Sequence, residues 1–141
     1  FMIDLVYIAI LKANRLRPTT VRLAVLSMIS SYEEGTHFTI EKICDDLRGN
    51  GVRKSIGSVY RTLKEFEDSG LVIRHQFDSI GTVYESSTST AHDHTVCVAC
   101  GKIMEFYREE FDSLREEVVF EAKGRIIRHT QTLYVVCEDC L

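Results

Sequence analysis

The first half of the chain alternates between stretches whose apolar residues recur every three or four positions and short polar breaks. After Pro18-Thr19-Thr20, the residues Val21, Ala24, Val25, Met28 and Ile29 fall at helical spacing, and Glu33-Glu34-Gly35 ends the run. Thr39 opens a second such stretch, with Ile40, Ile43 and Leu47 on one face, closing near Gly49 and Gly51. A third begins about Ser55 with a stripe of Ile56, Val59, Tyr60, Leu63 and Phe66, and Gly70 stops it where a helix takes a left-handed residue. Ahead of all three, residues 1–10 are apolar apart from Asp4 and read as a helix that packs on something, such as a partner subunit. Past Gly70, residues 71–77 and 82–86 are β-like runs separated by Asp78-Ser79-Ile80-Gly81, the pattern of a hairpin. Helices followed by a hairpin predict a winged helix-turn-helix, in which the last helix enters the major groove and the hairpin rides the backbone.

Residues 86–90, Ser-Ser-Thr-Ser-Thr, carry no hydrophobic period and mark a change of composition. Beyond them, Thr95-Val96 and residues 103–107 read as strands, and residues 109–123 as a helix with Phe111, Leu114 and Val118 on one face. Residues 125–136 read as one long β run. The chain is therefore expected to be α+β, with an N-terminal domain at 1–86, a hinge at 87–91 and a small αβ domain at 92–141.

The composition, 45% hydrophobic and 27% charged, is that of an ordinary soluble globular chain. No apolar run approaches the roughly 18–20 residues of a membrane span. The N-terminal stretch lacks a basic leader and a small-residue cleavage site, and Phe1 before Met2 reads as an addition ahead of the natural start. Cytoplasmic placement and metal-bound rather than disulfide-bonded cysteines are expected on this ground. The net charge of −4 argues against nucleic acid, but its distribution reverses the argument. Between Arg48 and Lys64 stand Arg48, Arg53, Lys54, Arg61 and Lys64 with no acid among them. That basic block falls on and just before the last helix of the expected winged helix, an electrostatic footprint for DNA.

Two Cys-x-x-Cys pairs, Cys97/Cys100 and Cys137/Cys140, are separated by 36 residues. Four thiols in two short-spaced pairs can close one tetrahedral zinc shell, and such a site contributes folding free energy directly. Gly101 suits the tight turn after the second thiol. Cys44 lies on the apolar side of an expected helix and reads as a small buried hydrophobe. His92 and His94 point to one side of an extended segment, and Glu105 can return over the same point from the next strand. Imidazole nitrogen with carboxylate oxygen suits Fe(II), Mn(II) or Zn(II). Asp93 faces the other way, and His75 reads as structural or exposed.

The run His92-Asp93-His94-Thr-Val-Cys97-Val-Ala-Cys100-Gly101-Lys-Ile-Met-Glu105-Phe106 resembles the signature of the Fur family of metal-responsive repressors. Gly57-Ser58-Val59-Tyr60-Arg61-Thr-Leu63 resembles the family's recognition helix, and Ser69-Gly70-Leu71-Val72 its turn into the wing. The resemblance extends from Leu16 to Cys140 and implies a homodimer with an N-terminal winged-helix domain and a C-terminal αβ dimerisation domain. It implies structural Zn2+ on Cys97, Cys100, Cys137 and Cys140. It also implies a regulatory ion held by His37 and Glu85 on one side of the hinge and His92, His94 and Glu105 on the other. An all-His/Glu set points to Fe2+ as the sensed metal, with Mn2+ or Zn2+ as alternatives; a peroxide-sensing or zinc-sensing repressor is the competing reading within the family. The partner is double-stranded DNA, an A·T-rich palindromic operator. Arg17, Ser58, Tyr60 and Arg61 are the expected contact residues, although Tyr60 also lies on the apolar stripe, where it would serve the core.

Some members carry a further histidine just before the His-Asp-His run; here Ala91 stands there, so a third site on Asp93, Asp112 and His129 would lack a ligand. Val21 also replaces the usual proline before Arg22. An enzyme is not expected: the sequence holds no metalloprotease or deaminase motif and no nucleophile constellation, and ligands split by a hinge suit a rigid active site poorly.

Overall fold

The computed structural model describes residues 2–87 and 92–141, so residues 88–91 of the expected hinge, Ala91 among them, lie outside the described residues. The chain forms two compact units, Phe1–Ser89 and Thr90–Leu141.

The first unit runs α1 (Met2–Ala13), α2 (Thr20–Ser31), α3 (Ile40–Gly49), α4 (Ile56–Ser69), β1 (Val72–Phe77) and β2 (Gly81–Ser86). Its helices start where side chains can cap them. The hydroxyls of Thr19, Thr39 and Ser55 accept the backbone N–H of Arg22, Lys42 and Ser58 respectively. Leu11, Val25, Ile43, Val59, Leu63 and Phe66 are fully buried in a shared core closed by Phe38, Val72 and Tyr84. Leu11 places α1 within this unit's own core, while Leu5 and Val6 on the same helix stay exposed. On α4 the buried face is Val59, Thr62, Leu63 and Phe66, whereas Ile56 and Tyr60 are 57% and 52% exposed. At about 100° per residue these two follow the edge of the buried arc and lead on to Lys64, with Arg61 on the face opposite the core. Tyr60 is therefore presented to solvent and does not serve the core.

β1 and β2 form the antiparallel hairpin, with Ile73 opposite Glu85 and His75 opposite Val83. A single bridge extends it. Phe38 N–H donates to the Tyr84 carbonyl (2.9 Å) and Tyr84 N–H returns to Phe38 (2.8 Å), pinning the α2–α3 connection to the wing.

The second unit is a three-stranded sheet in the order β4-β3-β5, from β3 (Asp93–Cys97), β4 (Ile103–Phe106) and β5 (Thr132–Val135), with α5 (Glu109–Glu121) between β4 and β5. β3 pairs antiparallel with β4 and parallel with β5, and a 3-10 turn, Glu138–Cys140, ends the chain. The long β run expected at 125–136 narrows to Thr132–Val135. β3 is five residues long, so it offers only a short edge for a parallel partner, and the upstream half of the run has no strand to pair with among the described residues of the unit. Val96 and Cys97 are its buried hydrophobic residues, and α5 buries none, leaving Leu114, Val118 and Phe120 exposed. A unit this small draws stability from sources beyond its own core, such as metal or association.

Gly70 ends α4 at φ +83 with nothing within 4 Å of an added Cβ. Gly70→Ala is therefore expected to cost about 1–2 kcal/mol through backbone strain alone, read as a lowered urea midpoint with an unchanged m-value.

Candidate metal centres

Cys97 ends β3, Cys100 closes the turn after it, Cys137 immediately precedes the terminal 3-10 turn and Cys140 is its last residue. The four sulfurs lie within 4.8 Å of one another and none is disulfide-bonded. Cys100 and Cys137 Sγ are 3.7 Å apart, close to the roughly 3.8 Å that two ligands of one tetrahedral zinc at about 2.3 Å must keep. The Cys97 sulfur accepts backbone N–H bonds from Cys137 (3.4 Å), Ala99 (3.4 Å) and Cys100 (3.5 Å). Those donors, Cys137 first, hold its thiol down at about 6, while the neighbouring thiols, Cys137 foremost, push Cys140 up to about 12. One sulfur is thus poised as a thiolate, and the cluster keeps protons that a cation must displace. The donor set fits zinc. Gly101, at φ +78, makes the return after Cys100. Cys44 stands apart, packed against the core of the first unit, and burial raises its pKa.

The His/Glu residues fall into a half-set in each unit. In the first, the Phe38–Tyr84 bridge brings His37 beside Glu85 on β2, with Nε2 3.4 Å from Oε2 and the carboxylate 2% exposed. In the second, His94 on β3 is paired directly opposite Glu105 on β4. His92 Nε2 lies 3.1 Å from Glu105 Oε1, and the two imidazole centroids are 4.8 Å apart, edge to face. His92, His94 and Glu105 each offer a donor atom within 4.8 Å of the others. Both half-sets are of N/O chemistry, suited to a borderline or hard divalent ion.

Two further residues take definite places. His75, read as structural or exposed, places Nε2 2.6 Å from Glu85 Oε1. The signal was in the register: on an antiparallel hairpin, a position diagonal to Glu85 shares its face. Asp93 is 5% exposed on the opposite face of β3 from His94. It lies 3.9 Å from Arg115 Nη1 and 3.7 Å from His129 Nε2, while Arg115 also bonds Asp112 and Gln131. A guanidinium supplies the positive charge among Asp93, Asp112 and His129, where the sequence already lacked a ligand.

Of the expected DNA contacts, Arg17, Tyr60 and Arg61 are exposed. The Arg17 carbonyl accepts Arg22 Nη1 (2.9 Å), and Arg22 Nε pairs with Glu65 Oε2 (2.8 Å), so one guanidinium ties the segment before α2 to α4. The Ser58 hydroxyl is shared with Ser55 at 2.7 Å, within the α4 cap.

Residues 13–134 match the ferric uptake regulator family. The chain belongs to the Fur family. The ferric uptake regulation protein of Neisseria meningitidis is 36% identical over 133 residues, covering 94% of this chain and 92% of its own. The Helicobacter pylori ferric uptake regulator Fur, whose solved structure is described as revealing three functional metal binding sites, superposes with TM-score 0.83 at 31% identity, over 99% of this chain and 91% of that one. The Pseudomonas aeruginosa ferric uptake regulator with manganese gives TM-score 0.81 at 34% identity, over 94% and 98%. This Fur-family chain is accordingly a metal-responsive regulator whose winged helix binds DNA. No helix among the described residues is long and apolar enough to cross a membrane.

Because Cys97 is held below the ordinary thiol value of about 9, its contribution to folded stability is full above about 9, shrinks as pH falls through neutrality and is gone below about 6. Zinc competes with protons for the same sulfurs, so acid works in the same direction. Chelation of the zinc-loaded protein should proceed faster at pH 5.5 than at pH 7.5, with loss of the β-sheet circular dichroism of the second unit.

Proposed function

We propose that this protein is a homodimeric, cytoplasmic transcriptional repressor that senses Fe(II) and binds A·T-rich palindromic operators when loaded. The observation that carries this reading is the division of His/Glu donors into a half-set in each unit, His37 and Glu85 in one, His92, His94 and Glu105 in the other. Neither half-set fills a coordination shell, so a single ion drawing on both would be completed by one relative arrangement of the units. Metal then shifts the population toward that arrangement, by no more than its differential affinity for the two states. In the dimer, the favoured arrangement sets the spacing of two α4 helices to two half-sites.

The zinc on the four cysteines holds the second unit together and is not the signal. Iron is supported by the all-His/Glu donor set and by the relatives named for ferric uptake; Mn(II) also accepts imidazole and carboxylate donors, and the Pseudomonas relative was solved with manganese. Zinc-sensing by the same residues is separated by the metals tested below; a peroxide sensor would respond to the same Fe(II) or Mn(II) and is separated by loss of Fe(II)-dependent binding on exposure to peroxide. Dimerisation is supported by the second unit's uncovered apolar surface. A groove of about 580 Å³ is lined there by Leu114, Val118, Ile126 and Ile127. The relatives are named as regulators, and catalysis has no part in this reading.

On α4, Arg61 is assigned to a guanine edge or phosphate and Tyr60 to a thymine methyl, with Ser58 and Arg17 on neighbouring backbone or groove. The test is anaerobic fluorescence anisotropy on an A·T-rich palindromic duplex at fixed salt, using protein zinc-loaded at its cysteines only. Binding should switch on with micromolar Fe(II) or Mn(II). A switch seen only with Zn(II), at far lower free concentration, would make this a zinc sensor. Arg61→Ala should weaken operator binding by about 10-fold or more while leaving metal affinity intact.

A further inference from the structure

β1 delivers a second imidazole to the buried carboxylate of the first unit. His75 and Glu85 occupy diagonal positions on one face of the hairpin, and His75 Nε2 lies 2.6 Å from Glu85 Oε1. His37 Nε2 approaches the other oxygen, Oε2, at 3.4 Å. The two histidines therefore address different oxygens of one carboxylate. The His75 ring is itself fixed: it stacks on Phe77 at a centroid distance of 5.5 Å and an interplanar angle of 4°, and Phe77 is 3% exposed. Its side chain is 18% exposed, against 2% for that of Glu85.

A glutamate used as a ligand has three side-chain torsions to fix, and an ion must otherwise order them as it binds. Carboxylate ligands are usually held by a neighbouring donor, and losing such a partner lowers metal affinity by about 10–100-fold. A short N–H···O bond from a ring clamped on Phe77 meets this need. We propose that His75 is a positioning residue of the regulatory centre: it donates Nε2–H to Glu85 Oε1 and so presents Oε2, the oxygen beside His37, to the metal. The proposal rests on Glu85 being a ligand of that centre. It gives the wing a direct mechanical link to the ion, since β1 carries the clamp and β2 the carboxylate.

The test uses the full-length protein, zinc-loaded at its cysteines, titrated anaerobically with Co(II) against a competing chelator. His75→Ala, His75→Gln and His94→Ala are compared with the parent by affinity and by ligand-field absorption. His75→Ala should bind Co(II) about 10–100-fold more weakly with an unchanged band pattern, because the ligand count is the same. His75→Gln, whose amide N–H can reach the same oxygen, should recover most of that loss, and thermal melting of the ion-free forms should not follow the affinity series. Full affinity in His75→Ala with loss in His94→Ala overturns the positioning role and leaves the centre standing. Full affinity in both overturns the centre itself. An altered band pattern in His75→Ala would make His75 a ligand, and a Gln variant as weak as Ala would assign the effect to ring packing; either result contradicts the proposal.

Discussion

Glu85 carries a carboxylate into the interior of the winged-helix unit, and a buried charge is tolerated only when it is paired and hydrogen-bonded. Much of that unit's design can be read from this constraint. The Phe38–Tyr84 bridge exists one residue away from both His37 and Glu85, so the backbone pairing that closes the core also brings the first imidazole to the carboxylate. The hairpin register supplies the second, His75. Capped helices α2, α3 and α4 then build the rigid body to which this wing is attached, and Gly70 sets the turn from α4 into it. A change of charge at Glu85 is thus felt on the same short hairpin that follows α4.

In the second unit a single strand does the corresponding work. β3 places His94 on one face and Asp93 on the other, and it ends in Cys97. Alternation separates two chemistries: imidazoles toward Glu105, and a carboxylate toward Arg115 and His129. The same strand is locked at its far end by the thiolate cluster, where the backbone N–H of Cys137 meets the Cys97 sulfur. With so few apolar side chains buried among the described residues, a metal ion held by the four cysteines would fasten this sheet at the end away from the His/Glu donors.

The elements legible from sequence were those with local chemical punctuation. Thr39, Ser55 and Gly70 mark helix ends through capping and a left-handed residue, which depend on nearest neighbours only. The cysteine spacing and the His-Asp-His alternation were readable for the same reason. The rest depended on tertiary pairing. The run at 125–136 carries strand-like residues throughout, yet only the part facing β3 became strand. Tyr60 follows the apolar stripe but lies just beyond the buried arc, a matter of helix rotation against the core. His75 gave no signal alone, because its importance is set by a register with Glu85 ten residues away. Asp93 was recognised as facing away from the histidines, but not as buried beside Arg115.

The central claim is that one ion takes donors from both units, and a metal-binding cycle tests it most directly. Mn(II) binding would be counted by the electron paramagnetic resonance of the free ion, using zinc-loaded parent, Glu85→Ala, His94→Ala and the double variant. One shared ion predicts a single Mn(II) per protomer, a marked loss of affinity in each single variant, and a double variant little worse than the weaker of the two. Losses that simply add, or a full Mn(II) retained by each single variant, would place Glu85 and His94 at separate ions and contradict the account.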